Sequence, residues 1–334
     1  MIVMSHITAL RCFRHLGAEV VARLERMRLA DLDTPPCSTA EALETYLSFA
    51  ISVGMSPSTP HLLKASGNAP WDGNRVVTHF ASDERAAILV KLSDAVYASA
   101  PEYLVRQLAS LGDVVDLAQL IFELCGVYAH PSNERIELKD RASFTSKRSL
   151  EKYLAQHRPF RGASRFERAL KLSKDRSASH METACAILLG FPYALGGLNF
   201  PVFEMNGMIE IPKNMRSTLG RSRCYGDLLW RGKRVILEYE SNMVHANSSK
   251  IAADSARRNA LQKADYQVVT LTGNQMYDSG EFWRTARVLA DALGHRVQPR
   301  CKDYRRKYYQ LRWAVLNDQA FVFREACSAV QAFA

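Results

Sequence analysis

Residues 224–272 read CYGDLLWRGKRVILEYES and then NMVHANSSKIAADSARRNALQKADYQVVTLT. The pattern predicts a strand, a tight turn at Arg231-Gly232-Lys233, a second strand with acids at alternate positions, a charged helix and a third strand. Asp227 falls in the first strand and Glu238 and Glu240 in the second, while His245, Asp254, Arg257 and Arg258 follow. Strand side chains alternate faces, so Glu238 and Glu240 emerge on one side, and the turn folds Asp227 back beside them. Carboxylates gathered in this way are unfavourable unless a cation sits between them. A hard, oxygen-ligated ion such as Mg²⁺ or Mn²⁺ needs only one or two protein acids, and it keeps room for waters and a substrate phosphate. Such an ion lowers the pKa of bound water and neutralises charge building on a phosphodiester, so phosphodiester hydrolysis is the expected chemistry.

The flanks extend this stretch into a domain. Upstream, SASHMETACAILLGF carries Ser179 as N-cap with Glu182 three residues on, which predicts a capping box followed by an apolar helix ending before Pro192. YALGGLNFPVFEMNGMIEI predicts two short strands joined by a turn at Asn206-Gly207. Downstream, FWRTARVLADALG (282–294) predicts the last core helix, CKDYRRKYYQLRW is basic and aromatic, and AFVFREACSAVQAFA predicts a closing amphipathic helix. Strands alternating with helices in this order predict a mixed sheet flanked by helices, an α/β fold.

The first third of the chain predicts a separate α+β module. Helical periodicity over residues 7–29, broken at Gly17, stops at DTPPC (33–37), and a short helix follows from Ser38 to Ala50. HLLKAS, NRVVTHF and AAILVKLSDAVYAS predict extended segments, and PEYLVRQLASLG and DVVDLAQLIFELCGVYAH predict helices. His61 and His79 lie in different strands and read as packed or surface residues; the region carries no catalytic set. Between Arg141 and Arg176, 11 Lys and Arg face 3 Asp and Glu, so much of the chain's basic excess is concentrated there. The helix expected at 163–174 puts Phe166, Ala169 and Leu170 on one side and Arg161, Arg165 and Arg168 on another. That stripe is either a track for a phosphate backbone or a solvated face of a linker. The boundaries read as 1–135 for the module, 136–178 for a basic connector, 179–299 for the acidic domain and 300–334 for a helical tail.

Formal charge +10 and pI near 9.3 favour a polyanionic partner, DNA foremost and RNA not excluded. Seven cysteines stand singly, without a C-x-x-C pair, which predicts reduced buried thiols and argues against both a disulfide framework and a cysteine zinc site. The opening MIVMSHITALRCF lacks a charged and apolar leader pattern, and no long apolar run predicts a membrane span, so a soluble cytoplasmic protein is expected. GDLLWRGK (226–233) fails as a P-loop because its spacing is one residue too long and Arg234 replaces Ser or Thr. H-E-x-x-H, G-x-S-x-G and dinucleotide fingerprints are absent from the sequence, which argues against a zinc protease, an α/β-hydrolase and a nucleotide-cofactor enzyme.

In order and spacing, Glu182, Asp227, Glu238-Tyr239-Glu240, His245, Asp254 with Arg257-Arg258, and a strand ending at Thr272 resemble the PD-(D/E)XK nuclease superfamily. Within it they are similar to endonuclease-like domains related to very-short-patch-repair proteins, over about residues 179–294. The resemblance implies a restriction-endonuclease-like sheet, with Asp227, Glu238 and Glu182 around Mg²⁺ and the Tyr239 carbonyl as a further ligand. It also implies Glu240 orienting or deprotonating the attacking water, His245 on the scissile phosphate or as general acid, and Arg257 and Arg258 on phosphate. This chain departs from its pattern at Glu240-Ser241, where relatives carry a Lys, or an Asp followed by Gly. The first hundred residues resemble the antitoxin-like regulators of type IV toxin–antitoxin, or abortive infection, systems, which implies a DNA-binding or protein-interaction module. Two functions follow: a metal-dependent endonuclease in a defence or toxin–antitoxin setting, or a DNA-binding regulator that keeps an inactive nuclease fold.

Overall fold

The computed structural model describes residues 1–33, 35–128, 142–214, 216, 220, 222–241 and 248–317, excepting the side chains of residues 19 and 248–255. His245 and the closing segment from 318 lie outside the described residues. The described chain forms two compact units that divide between Asp175 and Arg176. Helices and mixed parallel and antiparallel sheets give an α/β protein.

The first unit is built on a six-stranded sheet of order β2-β5-β6-β1-β3-β4. The strands are β1 (Ile2–Met4), β2 (Arg26–Arg28), β3 (His61–Lys64), β4 (Val77–Phe80), β5 (Ile88–Lys91) and β6 (Val96–Ser99). β1 pairs parallel with β6 and antiparallel with β3, so a three-residue apolar segment with no alternation of its own occupies the interior of the sheet. Its helices are α1 (His6–Leu16), α2 (Ala18–Ala22), α3 (Thr39–Ser52), α4 (Pro101–Leu108), α5 (Val114–Cys125), α6 (Lys147–His157) and α7 (Ala163–Leu172). The caps follow local chemistry: Ser38 with Glu41, and Asp113 with Asp116, close reciprocal capping boxes at α3 and α5. α1 is tied to α5 by a buried, two-pronged ion pair, Arg14 Nε and Nη2 each donating at 2.8 Å to the Glu123 carboxylate.

The basic segment is part of this unit rather than a connector. Phe166, Ala169 and Leu170 of α7 are buried against the unit, and Arg165 Nη1 donates to Gly112 O at 2.7 Å. Arg165 therefore ties α7 to the turn between α4 and α5, and it is exposed like Arg161 and Arg168. The boundaries at 135 and 178 give way to one at 175 because the apolar side of α7 finds its core upstream.

The second unit holds a four-stranded sheet of order β10-β9-β8-β7, with β7 (Glu204–Glu210), β8 (Arg223–Trp230), β9 (Val235–Glu240) and β10 (Gln267–Thr272). β7, β8 and β9 run antiparallel, and β10 joins parallel to β9 through the helix Ser248–Lys263. Arg231–Lys233 makes the expected turn as a single 3₁₀ turn. The hairpin expected at Asn206-Gly207 is instead the interior of one strand, β7, with Asn206 at φ 46°. Helix α8 (His180–Gly190) lies against β8 and β9, as does Ser279–Leu293 against β9 and β10. Tyr304–Leu316 belongs to this unit as well, packing on α8, with Arg312 Nη2 donating to Met276 O at 2.8 Å. The boundary at 299 thus moves outward.

Candidate active site: the acidic cavity at the end of the hairpin

The site begins where β8 and β9 stop pairing. The ladder runs Trp230↔Val235, Leu229↔Ile236, Leu228↔Leu237. One step further, Tyr239 N–H donates to the Asp227 carboxylate at 2.7 Å, so a side chain takes the place of a ladder carbonyl. Gly226 permits this geometry: a Cβ there would come 2.7 Å from Ile236 Cγ2, a buried side chain that cannot give way.

Beyond the last pair opens a cavity of about 230 Å³ lined by Glu182, Asp227, Glu238, Glu240, Arg257 and Arg258 among others. Glu238 is 8% exposed and Glu182 9%, so these carboxyls are largely removed from water. Burial, and then the neighbouring Asp227, raise Glu182 from 4.5 to about 7. Burial, and then Glu238, raise Asp227 from 3.8 to about 7. Glu238 is also raised by burial, although the Arg257 guanidinium opposes this. Among the described residues four carboxyls face two guanidiniums in the cavity; burial is the first cause that keeps Asp227 and Glu182 protonated, and the neighbouring acids add to it.

Each acid is held by identifiable partners. Ser179 Oγ caps α8 by accepting from Glu182 N, as expected. The Glu182 carboxylate, however, accepts from Ala178 N at 2.9 Å, from Ser179 Oγ at 3.2 Å and from Asn206 Nδ2 at 2.7 Å. Asn206 is the site residue that sequence reasoning missed. Its positive φ and its amide, which also reaches Arg176 O at 2.8 Å, link β7 to the start of α8. Asn-Gly signalled an unusual backbone but not its purpose.

Arg257 was expected on phosphate. It forms instead a two-pronged pair with Glu238, Nη1 and Nη2 both at 2.9 Å, and its Nη2 also donates to Tyr225 O. The helix Ser248–Lys263 lies over the sheet through Ala260 and Leu261, buried with Ile209, Cys224, Leu229 and Ile236, and this carries Arg257 above the hairpin end. Arg258 reaches Glu240 at 3.3 Å, with both side chains about half exposed. The side chain of Asp254 falls outside the described set, as does His245.

Glu182, Asp227, Glu238 and Glu240 are therefore brought to one cavity with Arg257 and Arg258, whereas Arg161, Arg165 and Arg168 belong to the other unit. By chemistry the acids fit a hard divalent ion, being carboxylates whose charge lacks compensation. Among the described residues, no group of three His, Cys, Asp or Glu side chains stands pre-assembled as a metal ligand set. All six described cysteines are free, and no described helix is long and apolar enough to cross a membrane. Compared with known proteins, the chain matches no family model, no curated protein and no solved structure.

Proposed function

We propose that the second unit hydrolyses phosphodiester bonds in DNA with Mg²⁺ or Mn²⁺. The observation that carries this reading is the gathering of Asp227, Glu182 and Glu238 in one cavity with two arginines, where the carboxyls of Asp227 and Glu182 hold their protons to about pH 7. Asp227, Glu238 and Glu182 would hold the ion, which when bound supplies charge neutralisation and a lowered water pKa. Glu240, at the exposed rim, accepts the proton of the attacking water. Arg258 grips a phosphate oxygen, and Arg257 fixes the Glu238 carboxylate. Resemblance of the acidic stretch to endonuclease domains supports the same chemistry, and the basic net charge supports a nucleic-acid substrate.

A second reading has its own observation. The two-pronged Arg257–Glu238 pair supplies a permanent cation where an ion would sit, as expected of a DNA-binding scaffold that has given up cleavage. Incubation of supercoiled plasmid with the purified protein and Mg²⁺ or Mn²⁺ separates the two. The nuclease gives nicked circles that Glu238→Ala abolishes. Absence of cleavage of DNA and RNA with either ion, alongside salt-sensitive DNA binding, establishes the scaffold instead.

A further inference from the structure

The first unit contains a second polar cavity with the opposite chemistry. It encloses about 190 Å³ between β4, α4 and the residues leading into α7, and its polar lining includes His6, His79, Ser82, Arg106, Gln107 and Arg161. Among the described residues no carboxylate lines it.

Two donor atoms in it are buried without a hydrogen-bond partner. Arg106 is only 8% exposed and its Nη1 makes no hydrogen bond; the Asp83 carboxylate pairs with it as an ion at 3.7 Å, too far to accept one. The guanidinium is held in place by stacking on Phe160, 4.8 Å from Cζ to the ring centroid. Gln107 Nε2 is likewise buried without a partner. Its amide orientation is fixed because Gln107 Oε1 accepts from His6 N at 3.3 Å. A buried donor left unpaired destabilises the fold, so two in one cavity call for a ligand rich in acceptors.

The walls are held as rigidly as the donors. His6, at φ 47°, stacks on His79 with ring centroids 3.6 Å apart, and His79 shares a 2.9 Å hydrogen bond with His61. This trio forms because β3 and β4 pair in parallel with Leu63 opposite His79, while β1 delivers His6 beside them. Gly162, at φ 90°, allows the chain to pass so close to α4 that a Cβ would meet Ala109 O at 2.6 Å. That approach sets Phe160 and Arg161 at the cavity.

We infer that this cavity binds a phosphate monoester, as free phosphate or as the terminal phosphate of a nucleotide chain. Two guanidiniums, an amide and the Ser82 and Ser110 hydroxyls supply more donors than the two oxygens of a carboxylate use, and they match the three or four oxygens of a phosphoryl group. The site is distinct from the acidic cavity and needs no divalent ion.

Calorimetric titration of the full-length protein in EDTA tests this directly. Inorganic phosphate is expected to bind saturably at one site per chain, and acetate is expected not to. Arg106→Gln and Gln107→Leu should each weaken phosphate binding about tenfold or more, in line with loss of a charge-assisted or buried hydrogen bond. Arg161→Gln, at an exposed position that leaves the fold intact, should weaken it severalfold, while Glu238→Ala should leave it unchanged. A 5′-phosphorylated trinucleotide binding tighter than its 5′-hydroxyl counterpart assigns the phosphate to a nucleic-acid end; equal weak binding of both, with inorganic phosphate retained, assigns it to a free phosphate. The inference is overturned if phosphate fails to bind, if acetate binds equally, or if folded Arg161→Gln and Arg106→Gln both bind like the parent. Loss of binding in Glu238→Ala also overturns it, by moving the anion to the other unit.

Discussion

Among the described residues a buried and a part-buried arginine–glutamate pair are both two-pronged, and their surroundings differ. Arg14–Glu123 joins α1 to α5 with side chains 6% and 1% exposed, in packed core. Arg257–Glu238 joins a helix to the end of a strand with side chains 25% and 11% exposed, at a cavity that also holds Glu182, Asp227 and Glu240. One pair satisfies two charges where two exist. The other leaves carboxyls over, and burial together with their mutual repulsion raises the pKa of Asp227 and Glu182. A buried ion pair alone is therefore no mark of a site; unbalanced charge facing a cavity is the better one.

The contrast is broken most severely by removing one acid from each pair. Glu238→Gln is expected to lower plasmid nicking on the order of 10²-fold or more, the scale seen when a group that stabilises developing charge is lost. Glu123→Gln should leave nicking per folded molecule within about twofold, since its pair only positions core helices. Equal losses in the two variants would show that Glu238 acts through folding alone.

Stability should respond in the opposite order. Glu123→Ala strands Arg14 in the core and should cost about 3–5 kcal/mol in urea unfolding. Glu238→Ala should cost less than about 2 kcal/mol, because losing that carboxylate also relieves its repulsion of Asp227. Comparable costs would mean that the acidic cavity is as tightly balanced as the core.

A pH series sharpens the same difference. Asp227 titrates near 7 when folded, against 3.8 as its ordinary value, and Glu182 near 7 against 4.5. The folded state thus holds protons that the unfolded chain has released, so these groups favour folding at low pH, and their contribution is lost as pH rises through about 4 to 7. Without divalent ions, melting temperature should fall between pH 5 and pH 8. Asp227→Asn, whose amide oxygen can still accept from Tyr239 N, should flatten the fall and stabilise the protein at pH 8 by about 1–2 kcal/mol. Added Mg²⁺ should raise the melting temperature more at pH 8 than at pH 5. A flat profile in the parent protein would contradict the charge imbalance.

The two regions also differ in how far their sequences could be read. Asp227, Glu238 and Glu240 lie within fourteen residues on two strands and a turn, so alternation and a short connection predicted their convergence. The α/β class followed from the same alternation of elements. The pairing of Arg257 with Glu238 was not legible because spacing along a helix cannot tell which partner lies beneath it; burial of Ala260 and Leu261 sets that. Asn206-Gly207 has the composition of a turn, but its neighbours Met205 and Ile209 are buried in a continuous strand, and tertiary pairing prevailed over local preference. The first unit's cavity draws on residues 6, 79, 106 and 161, none within twenty positions of the next. No local pattern announces such a set, and β1, which carries the chain to His6, is too short to show a period.

The smallest expected effect separates neighbouring arginines on one helix. Arg257 is committed to Glu238 and to Tyr225 O, so swinging it to a substrate would strand a buried carboxylate. Arg258 and Glu240 are half exposed and 3.3 Å apart, an arrangement that contributes at most about 1 kcal/mol and is screened by salt. Under the proposed function, Arg258 would exchange Glu240 for a phosphate at little cost, which would free Glu240 toward water. Arg258→Ala should change unfolding stability by less than about 0.5 kcal/mol while reducing the slope of log K for DNA against log salt concentration by about 1. The slope should be measured in EDTA, so that binding is read apart from cleavage. An unchanged slope would assign Arg258 to the surface pair alone and leave phosphate recognition in this unit to other residues.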